Sequence, residues 1–110
     1  MIGIDVVEID RVTLTDAFIQ LILTRSEQKE LLLRHTEKAK KEYIAGRFAV
    51  KEAIFKATQD QDYLHYSCLN QKNGKPSIEG HPEISVSISH DGGIAIAAVE
   101  LPAVPSDHAS

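Results

Sequence analysis

Residues 37–58 read EKAKKEYIAGRFAVKEAIFKAT, a run with no proline and a single glycine that follows Thr36, a good helix N-cap. At 3.6 residues per turn this predicts a helix of about six turns, the longest element of the chain. Working backwards, Thr24-Arg25-Ser26-Glu27 has capping-box spacing and predicts a helix to about Arg34, with Leu31, Leu32 and Leu33 as apolar surface. Thr13 to Leu23 predicts a shorter one. Residues 2–9, IGIDVVEI, are short, apolar and β-branched, and read as a strand buried on both faces. Working forwards, the pattern turns to strands at 64–71 and 76–79, joined by the tight-turn signal Lys72-Asn73-Gly74-Lys75. Ile84, Val86 and Ile88 then alternate with Ser85, Ser87 and Ser89, and Asp91-Gly92-Gly93 turns the chain into a last strand, 94–101. The order defines an α+β fold in which one long helix packs on a mainly antiparallel sheet.

A length of 110 residues accommodates one core, so residues 1–101 are expected to form a single domain and 102–110, with two prolines, a mobile tail. No apolar run approaches the ~20 residues of a membrane span, and the N-terminus lacks the basic region of a signal peptide. A cytoplasmic protein with no membrane partner is expected. The lone Cys68 suits that compartment and reads as a small buried hydrophobe. The net charge of -4 argues against nucleic acid as a partner. Residues 25–56 nevertheless hold nine of the twelve cations against five acids, a local +4 suited to a phosphate-rich ligand or an acidic protein. So small a domain leaves sheet edges and apolar faces to cover, which predicts self-association.

Three residues stand out by their surroundings. Asp5 lies within an apolar strand, where a carboxylate needs a cation or backbone N–H groups to offset its desolvation. Glu52 falls inside the apolar arc of the long helix: with Ile44 at zero, it lies at about 80°, between Phe48 at about 40° and Ala49 at about 140°. An ordinary i,i+4 ion pair with Lys56 is one account of it. The other is a divalent cation shared with Asp5, since Mg²⁺ is typically held by one or two carboxylates with water and phosphate oxygens completing its shell. His90 ends the alternating strand beside a glycine turn, where a side chain reaches a ligand or merely solvent. His35, His65, His81 and His108 show no metal-ligand spacing.

The stretches Gly3-Ile4-Asp5-Val6-Val7-Glu8-Ile9-Asp10-Arg11, Gly46-Arg47-Phe48-Ala49-Val50-Lys51-Glu52-Ala53-Ile54-Phe55-Lys56-Ala57 and Ser87-Ile88-Ser89-His90 together resemble the small bacterial holo-acyl-carrier-protein synthase group of the 4'-phosphopantetheinyl transferases. Ile22-Leu23-Thr24-Arg25-Ser26-Glu27 and Asn73-Gly74-Lys75-Pro76 follow that family's order as well. The resemblance spans roughly residues 2–101 and implies a 4'-phosphopantetheinyl transferase-like fold. It implies transfer of phosphopantetheine from coenzyme A to a serine of an acyl carrier protein, with release of adenosine 3',5'-bisphosphate, an activity of fatty acid biosynthesis and lipid metabolism. Asp5 and Glu52 would hold Mg²⁺ or Mn²⁺. Glu52 and Lys56 would be catalytic, Lys56 facing the leaving phosphate and either Glu52 or water at the metal taking the serine proton. By the same resemblance Arg47, Lys56, Asn73, Gly74, Lys75, Pro76 and His90 would contact coenzyme A, and the chain would assemble as a homotrimer with sites between subunits.

Several positions depart from the family's pattern. Between Arg11 and Arg25 there is no cation, only Asp16, where the family usually presents basic residues to the acidic carrier. Thr58-Gln59-Asp60-Gln61-Asp62 replaces a glycine-rich loop, Phe55 stands where serine is common, and Asp91 where threonine is common, which predicts altered coenzyme A contacts. Two other classes fit parts of the pattern. One is a non-catalytic relative that binds only coenzyme A or the carrier; the other is a hotdog-type thioesterase, which needs no metal and leaves Asp5 and Glu52 unexplained.

Overall fold

The computed structural model describes residues 1–103. Strand β1 (Ile2–Glu8) leads through a 3₁₀ turn (Ile9–Arg11) to helices α1 (Asp16–Ile22), α2 (Arg25–Leu31) and α3 (Glu37–Thr58). Strands β2 (Cys68–Asn70), β3 (Pro76–Ile78), β4 (Ser85–Asp91) and β5 (Ile94–Glu100) follow. A three-stranded antiparallel sheet has the order β1-β5-β4, and β2-β3 form a separate antiparallel ribbon. The chain is thus the expected α+β arrangement; of the expected tail, residues 104–110 lie outside the described residues.

Helix α3 begins where its cap predicts: the Thr36 hydroxyl accepts from the Ala39 N–H at 3.0 Å. Its side chains are buried around most of its circumference: Ile44, Ala45, Ala49, Val50, Ala53 and Ile54 are fully buried and share one core with Val7, Ala95, Ala97, Val99 and Val86 of the sheet. Burial of each such valine or isoleucine side chain contributes about 1.5–3 kcal/mol. The contact with β1 is closest at Gly3, where a Cβ would stand 1.9 Å from the Ala53 carbonyl oxygen and 3.3 Å from the Ala57 Cβ. Only glycine permits that approach, and it carries Asp5, two residues further along β1, up to the second half of α3.

The structure corrects the reading of β1 as buried on both faces. Its inward residues Gly3 and Val7 are buried, whereas Ile2, Ile4 and Val6 are 73%, 56% and 55% exposed in the single chain. In register, Ile4 pairs with Ala98 and Val6 with Ile96 of β5, which pair in turn with Ser87 and Ser89 of β4. The outer face of the sheet is therefore apolar on one side and hydroxylated on the other, and no other element of the described chain covers it.

The expected strand 64–71 shortens to Cys68–Asn70 because residues 58–65 spend their polar groups on turns. The Thr58 hydroxyl accepts from the Asp60 N–H at 3.1 Å, Asp60 from the Asp62 N–H at 3.0 Å, and Asp62 from the Leu64 N–H at 3.0 Å. Successive caps of this kind compete with a strand ladder. The expected 72–75 turn is present, with Gly74 at φ 86 and its N–H donating to the Gln71 carbonyl at 2.8 Å.

Candidate active site

Asp5 and Glu52 come from β1 and α3 and line one cavity of about 550 Å³, together with Val7, Phe18 and Phe48. The Asp5 side chain is 16% exposed, so its charge needs a partner, and the Lys56 ammonium supplies it: Nζ donates to Oδ1 at 2.9 Å and to the Ile4 carbonyl at 3.2 Å. The expected cation opposite Asp5 is therefore Lys56. The i,i+4 pairing of Lys56 with Glu52 is not the one formed. Glu52 instead accepts from the Tyr63 hydroxyl, through Oε2, at 3.2 Å.

Tyr63 keeps its proton, since burial and the neighbouring Glu52 carboxylate push its pKa above the ordinary tyrosine value. A protonated phenol donates, so Tyr63 holds one oxygen of Glu52, a residue that lines the cavity. Sequence reasoning missed Tyr63. The signal was the pair Asp60 and Asp62 two residues apart, an arrangement that caps consecutive turns and delivers the next residue in a defined place.

Behind this cavity lies a buried ion pair that sequence reasoning also missed. Lys51 and Glu27 are 2% and 0% exposed; the ammonium donates to Glu27, to the Ile22 carbonyl at 2.8 Å and to the Tyr63 carbonyl at 2.8 Å. Glu27 also accepts from the Thr24 N–H at 2.9 Å, completing the capping box, and from the Cys68 N–H at 2.7 Å. Every donor of Lys51 and both oxygens of Glu27 are thus satisfied, as a buried pair requires. Desolvation still draws the Lys51 pKa below its ordinary value.

The remaining expected site residues divide. Arg47, Gly74, Pro76 and His90 line a second cavity of about 300 Å³, with Arg34 and Tyr43. Asn73 and Lys75 do not reach it; the Asn73 side chain instead accepts from the Lys75 N–H at 2.9 Å and braces the turn. Arg47 is only 5% exposed: Nε donates to the Cys68 carbonyl at 3.0 Å, and Nη2 to Asn70 at 2.9 Å and Glu30 at 3.3 Å. Its guanidinium lies 4.2 Å from the Tyr43 ring centroid and that of Arg34 lies 4.6 Å from it, so two cations flank one aromatic ring at the cavity. His90, about half exposed, stands with Nδ1 3.8 Å from Glu42. It also borders a third cavity of about 630 Å³ with Lys38, Lys41, Glu42 and Asp91.

The donor set at the first cavity fits a hard divalent cation. Two partly buried carboxylates face it, and among the described residues no cluster of three or more His, Cys, Asp or Glu could hold a metal ion. Two carboxylates are what Mg²⁺ usually takes from a protein, with the other positions left to water and phosphate oxygens. Among the described residues no helix is long and apolar enough to cross a membrane.

Comparison with known proteins places this chain, with its helix laid across an antiparallel sheet, in a group of transferases. The chain belongs to the 4'-phosphopantetheinyl transferase superfamily, whose ACPS model matches residues 1–99. Among curated proteins it is similar to the holo-[acyl-carrier-protein] synthases of Halalkalibacterium halodurans, 39% identical over 90% of this chain and 92% of that one, and of Geobacillus sp. strain WCH70, 38% identical over 89% and 92%. Among solved structures it resembles the Bacillus anthracis holo-(acyl-carrier-protein) synthase in complex with CoA (3',5'-ADP), with a TM-score of 0.77, 34% identity, and coverage of 89% of this chain and 91% of that one. The Helicobacter pylori holo-[acyl-carrier-protein] synthase in complex with coenzyme A gives a TM-score of 0.72 and 31% identity, over 90% and 97%.

Proposed function

We propose that this chain transfers 4'-phosphopantetheine from coenzyme A to a serine hydroxyl of an acyl carrier protein, releasing adenosine 3',5'-bisphosphate, in the cytoplasm. The observation that carries the mechanism is the meeting of Asp5, Glu52 and Lys56 where β1 crosses α3. In the reaction a serine oxygen forms a bond to the β-phosphorus of the pyrophosphate, the bridging P–O bond breaks, and the nucleotide departs with an added negative charge. Such a displacement needs positioning and charge neutralisation more than covalent chemistry from the protein.

Asp5 and Glu52 would hold Mg²⁺ or Mn²⁺, which when bound supplies neutralisation of the pyrophosphate oxygens. Lys56 has a side chain 55% exposed on a flexible stem, so it can keep Asp5 in place and also turn its ammonium to the leaving phosphate. Glu52 is one candidate to accept the serine proton, and water at the site is the other. Arg47, Arg34 and His90, with Gly74 and Pro76 as the wall, form the region suited to the phosphates and nucleotide of coenzyme A.

These two regions line separate cavities of one protomer. A homotrimer joined through the open face carrying Ile2, Ile4 and Val6 would cover that apolar surface, and sites between subunits would let the carboxylates of one copy work with the basic cavity of another. The test is incubation of the protein with apo carrier, coenzyme A and Mg²⁺, read as the mass gain of phosphopantetheine. No gain with several carriers would leave the non-catalytic relative as the reading.

A further inference from the structure

Segment 58–65 has a more specific task than closing the chain after α3. Its backbone is anchored at both ends and in the middle. Gln59 closes α3 in the left-handed conformation at φ 68, with its N–H on the Phe55 carbonyl at 2.6 Å. Asp60 and Asp62 cap successive turns, Asp60 also pairs with the His65 imidazole, and the His65 N–H returns to the Asp62 carbonyl at 3.1 Å. At the centre, the Tyr63 carbonyl is held at 2.8 Å by Lys51, an ammonium that is itself locked by Glu27. The Tyr63 ring lies against Phe48, centroids 5.8 Å apart, and Phe48 against Phe18 at 6.0 Å. Its hydroxyl ends on Oε2 of Glu52.

Lys51 and Glu52 are successive residues of α3 and so point about 100° apart around the helix. Tyr63 spans that angle, with its backbone on the first side chain and its phenol on the second. Glu52 is a long side chain with three rotatable bonds, and a ligand left to choose among its rotamers binds a cation less tightly than one held in place. From this we infer that Tyr63 is a positioning residue for the cation site, fixing Oε2 of Glu52 so that Oε1 faces Asp5 across the cavity. The acidic segment 58–62 serves as the scaffold that places it. The inference rests on the reading of Asp5 and Glu52 as the cation ligands.

The experiment is a titration of the full-length protein with Mn²⁺ in the presence of coenzyme A, followed by electron paramagnetic resonance, for wild type, Tyr63→Phe and Glu52→Gln. Phenylalanine keeps the ring against Phe48 and removes only the hydroxyl. Loss of an outer hydrogen bond to a metal ligand typically weakens binding about 10- to 100-fold. Tyr63→Phe is expected to bind Mn²⁺ about 10-fold more weakly, with the Mg²⁺ dependence of turnover displaced in the same direction and recovered by added metal. The concentration dependence on coenzyme A is expected to hold. Equal Mn²⁺ affinity of Tyr63→Phe and wild type overturns the inference alone. Wild type binding no more Mn²⁺ than Glu52→Gln overturns the cation reading and the inference with it.

Discussion

The Lys56 ammonium sits 2.9 Å from Oδ1 of Asp5, fifty-one residues away in sequence, although Glu52 is one helical turn away on its own helix. The pairing offsets the desolvation of a carboxylate held at 16% exposure and keeps it at the cavity.

Replacing Lys56 by methionine separates its two tasks. The ion pair is half solvated on the lysine side, and pairs of that kind contribute about 0–1 kcal/mol, so thermal unfolding is expected to change little. Carrier modification, by contrast, is expected to fall about 100-fold or more, since a charge aimed at a developing anion acts in the transition state. A variant with full turnover would remove Lys56 from the reaction.

Glu52→Gln is nearly isosteric and retains an oxygen for the Tyr63 hydroxyl. The fold, followed by circular dichroism, is expected to be intact and the Mg²⁺-dependent rate abolished. Unchanged turnover would take Glu52 out of the cation site.

The open face of the sheet gives an assembly prediction. Val6 is 55% exposed and lies in the middle of β1, so Val6→Glu would place a charge inside any interface formed there. Sedimentation is expected to show a trimer for the wild type and smaller species for the variant. A monomeric wild type at micromolar concentration would refute the trimer.

Removing Lys51 leaves Glu27 as a buried carboxylate without its cation, and breaking a buried pair from one side costs about 3–5 kcal/mol. Lys51→Met is therefore expected to lower the denaturation midpoint in urea sharply. A shift equivalent to less than about 1 kcal/mol would show that the surrounding hydrogen bonds carry Glu27 alone.

Cys68 is fully buried beside Glu27, and burial pushes its thiol up to about 11. The thiolate is the reactive form, so at pH 8 the native protein is expected to resist a thiol reagent such as dithionitrobenzoate and to react stoichiometrically in denaturant. Rapid stoichiometric labelling of the native state would contradict that burial.

Helix α3 was legible to its ends because a capped, proline-free run of 22 residues has no competing local structure, and β4 because its alternation of aliphatic and serine residues is uninterrupted. Asp5 and Glu52 were legible as misfits, since a charge among apolar neighbours is visible at the level of composition, and the structure brings both to one cavity. Their partners were not legible. Lys56 had a local candidate in Glu52, and nothing in the spacing told that Asp5 would outcompete it across the β1–α3 contact. Tyr63 was hidden because Asp60 and Asp62 read as an acidic loop, whereas their side chains are consumed in capping N–H groups. Arg47 was expected from the family resemblance to face a ligand, and the structure places most of its donors inside the fold, on Cys68, Asn70 and Glu30.

The glycine at position 3 makes the distance between the two carboxylate-bearing elements a matter of main chain alone. No smaller residue exists to bring β1 and α3 nearer, and any larger one collides with the Ala53 carbonyl. The gap across the site is therefore a fixed gauge, indifferent to repacking of the aliphatic core around it. Attempts to retune the site for a cation of different radius would have to work through side-chain length, exchanging aspartate and glutamate at positions 5 and 52, because the spacing between strand and helix offers no adjustment.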